Sequence, residues 1–421
     1  MKAWSETTLK NVAKKVSYGY TASATEQDTG VKFLRITDIV PSAIDWSTVP
    51  NCEISEKDIE KCRLSQGEIV IARTGATVGY AKQIGCNPPL AVFASYLVRV
   101  RVRDDICKRF IGILIESNNY KYYINTIAGG SAQPNANAKD LSSYPFYLPP
   151  IPIQQKIVAL LSTYDELIEN NKRRIALLET LAEEIYREWF VRLRFPGHEK
   201  MKIVKGVPQS WELEKLEHAF KFTGGGTPSK EVDRYWNGGE VNWFTPSDIT
   251  GADGIFLGSS GEQCTEEGFN NSSAKMFPAY SVMLTSRATI GAVGINLTPA
   301  CTNQGFITCI PNARYPLPYL YHWIKLAKPH FELLSGGATF AELTKGTFKR
   351  IEILTPPEPI VAEFARIESP LFNAIENHLR ANRKLLETRE MLLPRLISGK
   401  LSVEHLDIQF PPSMEEITHA A

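Results

Sequence analysis

Long polar side chains set among glycines are the part of this sequence that could do chemistry. In Gly129-Gly130-Ser131-Ala132-Gln133-Pro134-Asn135-Ala136-Asn137-Ala138-Lys139 the small residues allow a close backbone approach to phosphate, while Gln133, Asn135, Asn137 and Lys139 offer the donors and acceptors that base edges pair with. Ser335-Gly336-Gly337-Ala338-Thr339, followed by Lys345, has the same character. Arg73-Thr74-Gly75 and Ser286-Arg287 follow β-type runs, and a guanidinium at either place could bind a guanine or a phosphate. Gly224-Gly225-Gly226-Thr227-Pro228-Ser229-Lys230 adds Thr227 and Lys230 as a turn or phosphate contact. It lacks the G-x-x-x-x-G-K-[ST] order of a nucleotide-binding P-loop. The plainer readings are solvated loops and surface arginines held in ion pairs. Two basic groups take that plainer reading. Arg99, Arg101 and Arg103 alternate with valines, as on the charged solvent face of a half-buried strand. Lys172, Arg173 and Arg174 read as a solvated or partner-facing helix side.

Other chemistries find no support, and no catalytic or metal-binding residue is assigned. Seven cysteines are scattered, with no C-x-x-C pair and no companion His-x-x-x-His, against both zinc and a disulfide framework. Asn87-Pro88-Pro89-Leu90 is spaced like the Asn-Pro-Pro-aromatic motif with which amino-methyltransferases hold a flipped base, but Leu90 cannot stack on one. It reads as a loop turn. No segment is apolar enough to span a bilayer, and the expectation is a cytoplasmic protein with no membrane contact. The net charge of +1 is low for a lone nucleic-acid binder, so any basic surface is local or shared with a partner.

The elements that must position these loops come twice. Trp4-x-x-x-x-Leu9 and Trp211-x-x-x-x-Leu216 lie 207 residues apart. The same interval separates Leu148-Pro149-Pro150-Ile151-Pro152-Ile153 from Thr355-Pro356-Pro357-Glu358-Pro359-Ile360, and Ile168-Glu169-Asn170 from Ile375-Glu376-Asn377. Between these anchors Ala76-Thr77-Val78-Gly79 pairs with Ala288-Thr289-Ile290-Gly291 at a slightly drifted register. A period this long is a duplicated domain with its connector. The first ~150 residues of each copy carry short strand-type runs, Glu68 to Ala72, Tyr96 to Val102, Val282 to Leu284 and Phe306 to Ile310 among them.

A helical stretch then follows in each copy. From Ile153 to Phe190 there is neither Pro nor Gly, and Ile157, Leu160, Tyr164, Leu167, Leu178, Leu181 and Ile185 recur at a/d spacing. Asn171 falls on an a position, where a polar side chain fixes register. The second copy begins with Phe364 and Ile367, restarts at Pro370 and carries Leu371, Ile375, Leu379 and Leu385, until Pro394 and Gly399 end or kink it. The expected class is α+β. Two duplicated globular domains with twisted β-sheets are separated by two long helices, which pair as an antiparallel coiled coil with pseudo-two-fold symmetry. The domains are drawn at 1–148, 149–197 (helical), 198–355, 356–405 (helical) and a tail at 406–421.

The order of domain, Pro-Pro-Ile-Pro-Ile-Gln154-Gln155-Lys156-Ile157, long helix, second domain, Pro-Pro-x-Pro and second helix resembles the specificity subunits of type I restriction–modification systems. Trp189-Phe190-Val191-Arg192 and the closing Leu392-Leu393-Pro394-Arg395-Leu396-Ile397-Ser398-Gly399-Lys400-Leu401 extend the likeness to about residue 405. The second copy departs from it, with Val361-Ala362-Glu363 where the first has Gln154-Gln155-Lys156. The resemblance implies a subunit without catalysis of its own, in a complex that methylates adenine and cleaves DNA. Its two target-recognition domains would each read half of an asymmetric bipartite duplex, with the helices as a ruler and as docking surfaces for two methyltransferase subunits. No cofactor is expected in this chain. S-adenosylmethionine would sit in the methyltransferase, and ATP and Mg in restriction subunits. The competing readings are a single-chain DNA methyltransferase or nuclease, and a coiled-coil scaffold whose heads do not bind DNA.

Overall fold

The computed structural model describes residues 4–41, 43–129, 134–287, 289–336 and 341–410. It divides into two compact units: Met1–Leu167 with Leu385–Ala421, and Ile168–Lys384. Each unit takes one globular head and a stretch of both long helices, so the units cut across the helical segments expected from sequence.

In the first head, Ala13–Tyr18, Leu97–Val102, Ile69–Ala72 and Ala81–Gln83 form an antiparallel sheet in that order. The second head repeats the order with Lys221–Gly224, Phe306–Ile310, Val282–Thr285 and Val293–Asn296, and adds Phe256–Leu257 in parallel. A smaller parallel pair recurs too, Lys32–Leu34 with Ala91–Phe93 and Val241–Phe244 with Ala300–Thr302. The terminal strands close each head with one register, Ser5 opposite Leu148 and Glu212 opposite Thr355. Both of those positions differ by the 207-residue interval.

The central strands are buried on both faces. Ile69, Ile71, Val98 and Val100 join one core, which includes Phe110 and Ile111 of the helix Lys108–Glu116. Val70, Ala72 and Leu97 face a second core with Leu34 and Phe93. Covering the second face overturns the solvent-face reading of Arg99. Its guanidinium is buried, lies over the Phe93 ring, donates to the carbonyls of Lys61 and Arg63 and pairs with Glu68. Arg101 shares the Glu68 carboxylate, and only Arg103, paired with Asp105, lies in the open.

The long helices span Ile151–Tyr186, continued by a π-helical turn to Val191, and Glu358–Ile397. Pro370 does not interrupt the second one. Its ring is exposed, so the carbonyl it leaves unpaired is on the solvent side, where water can satisfy it. In the first unit Ile157, Val158 and Leu161 cluster with Leu393, Leu396 and Ile397, and Asp165 binds Arg389 at 2.6 Å. In the second unit Ile175, Ala182 and Tyr186 cluster with Val361, Phe364 and Ile375. The start of each helix meets the end of the other, which is an antiparallel pairing within each unit.

The buried stripe of the first helix is not the a/d seam. Ile157 is buried, and Tyr164, Asn171, Leu178 and Ile185 are half-buried, as a positions should be. The other edge is formed by Leu161, Ile168, Ile175, Ala182 and Trp189, each four residues on. Of the expected d residues Leu160 is half-buried, but Leu167 is 45% and Leu181 49% exposed. A helix flanked by a head as well as a partner helix turns a wider face inward, and here it turns toward the head. On the second helix Ile375 is buried and Leu371, Leu379 and Leu385 are half-buried. Gln154 ties helix to head: its Nε2 donates to the Pro149 carbonyl at 2.7 Å and its Oε1 accepts from the Cys107 N–H at 3.0 Å. Val361, 207 residues on, makes an apolar contact instead.

Candidate nucleic-acid interface

Two of the sequence-predicted segments meet in the first head. After the strand Ile69–Ala72, Arg73 donates its N–H to the Tyr96 carbonyl (3.0 Å), and its own carbonyl accepts from Ala136 (2.9 Å). Gly75, at φ 76° where glycine is favoured, donates to the Pro134 carbonyl, and Thr74 bridges to Asn135. Residues 73–75 and 134–139 therefore form one edge of the head. Asn137 caps the short helix Ala138–Ser142, its Oδ1 accepting from Lys139 and Asp140, so this oxygen is committed to structure. Asn135 and Lys139 are exposed, and so is Gly129. Gly130, Ser131 and Gln133 lie outside the described residues.

The Arg73 side chain crosses the Tyr18 ring, its Cζ 5.0 Å from the centroid. The Tyr18 hydroxyl accepts from the Ala138 N–H at 3.0 Å, which joins the strand Ala13–Tyr18 to the 134–139 segment. Among the described residues the buried Arg73 Nε has no hydrogen-bond partner, and no carboxylate pairs with this guanidinium. Tyr18 was not singled out from sequence. The available signal was an aromatic at a strand end immediately before a glycine.

The second head repeats the backbone and changes the side chains. Ser286 donates to the Gly305 carbonyl (2.7 Å) and accepts from Leu343 (2.9 Å), so Ser286 occupies the place of Arg73. Arg287 takes the place of Thr74 and bridges to Glu342, the counterpart of Asn135. A one-residue shift on extended backbone sends a side chain to the opposite face. Accordingly Arg287 forms an ion pair with Glu342 at 2.9 Å. Lys345, at the place of Ala138, reaches over Gly224, at the place of Tyr18, and a Cβ on Gly224 would collide with it. Thr227 donates to exposed Gln304 at 2.7 Å. Lys230 lies over the Trp236 and Trp243 rings and pairs with Glu262 at 2.6 Å. Its charge is thereby satisfied within the head. Gly336 bridges to Glu342, while Gly337 and Thr339 lie outside the described residues.

Asn87-Pro88-Pro89-Leu90 lies in the loop before Ala91–Phe93, with Asn87 at φ 49°, a turn conformation. All seven cysteines are free. Among the described residues no helix is long and apolar enough to cross a membrane.

Two copies of one α+β head, each presenting a polar, cation-bearing edge and each built on paired long helices, define a duplicated binding protein. The family model described as "Type I restriction modification DNA specificity domain" matches residues 1–180 and again 208–385, and the chain belongs to that family. It is a specificity subunit, a non-catalytic component of a type I restriction–modification system, and neither an enzyme on its own nor a scaffold unrelated to DNA. It is 23% identical over 472 aligned residues, 95% of this chain and 100% of the relative, to the HindI specificity subunit of Haemophilus influenzae. It is 33% identical over 199 residues to the MjaIX specificity subunit of Methanocaldococcus jannaschii, a match covering 47% of this chain and 46% of that one. The fold resembles the crystal structure of an S subunit from M. genitalium at a TM-score of 0.55 and 15% identity, covering 94% of this chain and 96% of that one.

Proposed function

We propose that each head reads one half of an asymmetric, bipartite double-stranded DNA target, and that the paired helices set the separation of the halves and dock two methyltransferase subunits. The observation that carries this is the repetition of one edge, residues 73–75 with 134–139 and 286–287 with 342–345, on the same backbone hydrogen bonds but with different side chains. Two linked readers gain over one through effective concentration, provided that their geometry matches the site. Docking is supported by apolar side chains on the outer faces of the helices, with Leu177 70% and Met391 66% exposed.

In this reading DNA-contacting residues are drawn from Arg73, Thr74, Asn135 and Lys139 in the first head and Thr227, Gln304 and Lys345 in the second. S-adenosylmethionine belongs to the methyltransferase, where adenine is methylated, and ATP and Mg to restriction subunits that join the complex. The assembly works in the cytoplasm, where its DNA is. Sequencing modified bases in cells with and without this gene tests the proposal. Loss of one bipartite methylated motif supports it, and exchange of residues 1–148 for those of a relative should alter one half of that motif alone. An unchanged methylome, or a motif altered in both halves by that exchange, overturns it.

A further inference from the structure

We propose that the Tyr18–Arg73 stack is the base-reading element of the first head, with the Arg73 guanidinium donating to O6 and N7 of a guanine. This rests on the reading of the heads as DNA readers and assigns one base and one side chain within it.

Three observations converge on Arg73. Its charge is unspent: among the described residues no carboxylate faces it, whereas Arg287 is paired with Glu342 and Lys230 with Glu262. Its orientation is held: the guanidinium lies against the Tyr18 ring, and that ring is anchored through its hydroxyl to the Ala138 N–H. A planar cation on an aromatic face keeps its N–H donors in one plane at little further entropic cost, which suits the two adjacent acceptors on the major-groove edge of guanine. Its location is open, since Tyr18 is 45% exposed and the stack borders the segment that carries Asn135 and Lys139.

The second head supplies the contrast. Tyr18 and Ala138 are exchanged for Gly224 and Lys345, so the space above the end of the edge strand is filled from the opposite side. Large and small residues have traded places around one site, and the group presented changes from an aromatic-backed guanidinium to an ammonium. A lysine offers a point charge without the fork. The two heads thus differ in chemistry at one structural position, as readers of two different half-sites must. Tyr18 is a positioning residue that acts through Arg73.

The test uses the full chain assembled with its methyltransferase and the base preference of methylation at each motif position. Arg73→Lys should lower the preference for one guanine, in the half-site assigned to residues 1–148, by about tenfold to a hundredfold. The other half should not change. Tyr18→Leu should relax the same position, while Tyr18→Phe, which keeps the ring, should retain most of the preference. Replacing that guanine by 7-deazaguanine should weaken binding of the wild-type complex and leave the Arg73→Ala complex indifferent. Equal loss of methylation at every site with the motif intact would make Arg73 a phosphate contact and overturn the proposal, as would an unchanged preference in Arg73→Lys. Failure of the underlying reading looks different: the wild-type complex would then methylate no bipartite motif.

Discussion

Asn171 and Asn382 face each other between the long helices, and replacing them tests whether this pair sets the register. Asn171 Nδ2 donates to Asn382 Oδ1 at 2.9 Å, and Asn382 Nδ2 reaches the Ile168 carbonyl at 3.4 Å. Both residues are half-buried. Asn382→Leu removes both bonds and leaves the Asn171 amide against a leucine. With a net ~1 kcal/mol for the shorter bond, part of a second, and incomplete hydration of the stranded amide, the loss should be about 1–2 kcal/mol. Half-burial of the new leucine returns about 1 kcal/mol at most. In Asn171→Leu/Asn382→Leu no polar group is stranded and two leucines meet, so the helices should be at least as stable as in the wild type. The coupling in the double-mutant cycle should then exceed about 1 kcal/mol. Native-state hydrogen exchange at the helical amides of residues 168–182 and 372–384 reads this locally. Coupling below about 0.5 kcal/mol, within ordinary additivity error, would refute the pairing argument. If the pair also fixes register, the double variant, though stable, should blur the spacer length of the methylated motif.

The buried pair of His322 and Glu368, 3.4 Å apart, gives a pH signature. Burial pushes the imidazole down to about 3 and the carboxyl up to about 8, from ordinary values of 6.5 and 4.5. The unfolded chain therefore gains a proton on His322 as pH falls below 6.5, and loses one from Glu368 as pH rises above 4.5, while the folded unit does neither. Stability of residues 168–384 should be level between these values, where the two slopes cancel, and should decline toward pH 3 and toward pH 8. Glu368→Gln should remove the alkaline decline, and identical slopes for variant and wild type above pH 6.5 would count against it. In the first head, Glu68→Ala should strip the buried Arg99 guanidinium of its counter-charge and cost about 3–5 kcal/mol, read as faster amide exchange in Leu97–Val102. Lys14→Ala, whose partner Asp104 lies in solvent, should leave that exchange unchanged.

Much of the scaffold was legible because its signals are local or repeated. Apolar runs at Glu68 to Ala72 and Phe306 to Ile310 become the strands Ile69–Ala72 and Phe306–Ile310, and the 207-residue interval becomes a shared strand order. What stayed hidden depends on neighbours distant in sequence. Alternation alone cannot say that a second core covers the other face of Leu97–Val102, which is what buries Arg99. Heptad spacing cannot say that a head lies beside the helix, which is what turns Leu167 and Leu181 outward and Ile175 and Ala182 inward. At the candidate interface the glycine-rich segments were visible, but the capping role of Asn137 and the pairing of Lys230 with Glu262 were not. Nor was Tyr18, which gains its meaning only from Arg73 and Ala138 folding onto it.

The pattern of divergence between the copies bears on how one fold can serve two targets. Where the heads must fold, they agree: the terminal strands keep one register, and the backbone bonds around Arg73 and Ser286 correspond donor for donor. Where they differ, the differences compensate locally. Tyr18 with Ala138 is exchanged for Gly224 with Lys345, and Thr74 beside Asn135 for Arg287 beside Glu342. Each exchange alters the charge or the hydrogen-bonding groups at the edge without moving the backbone that carries them. Specificity that resided in backbone shape could not diverge this way without disturbing the sheet. Specificity carried by a few side chains on a conserved edge can, and that confines the search for the reading residues to those exchanged pairs.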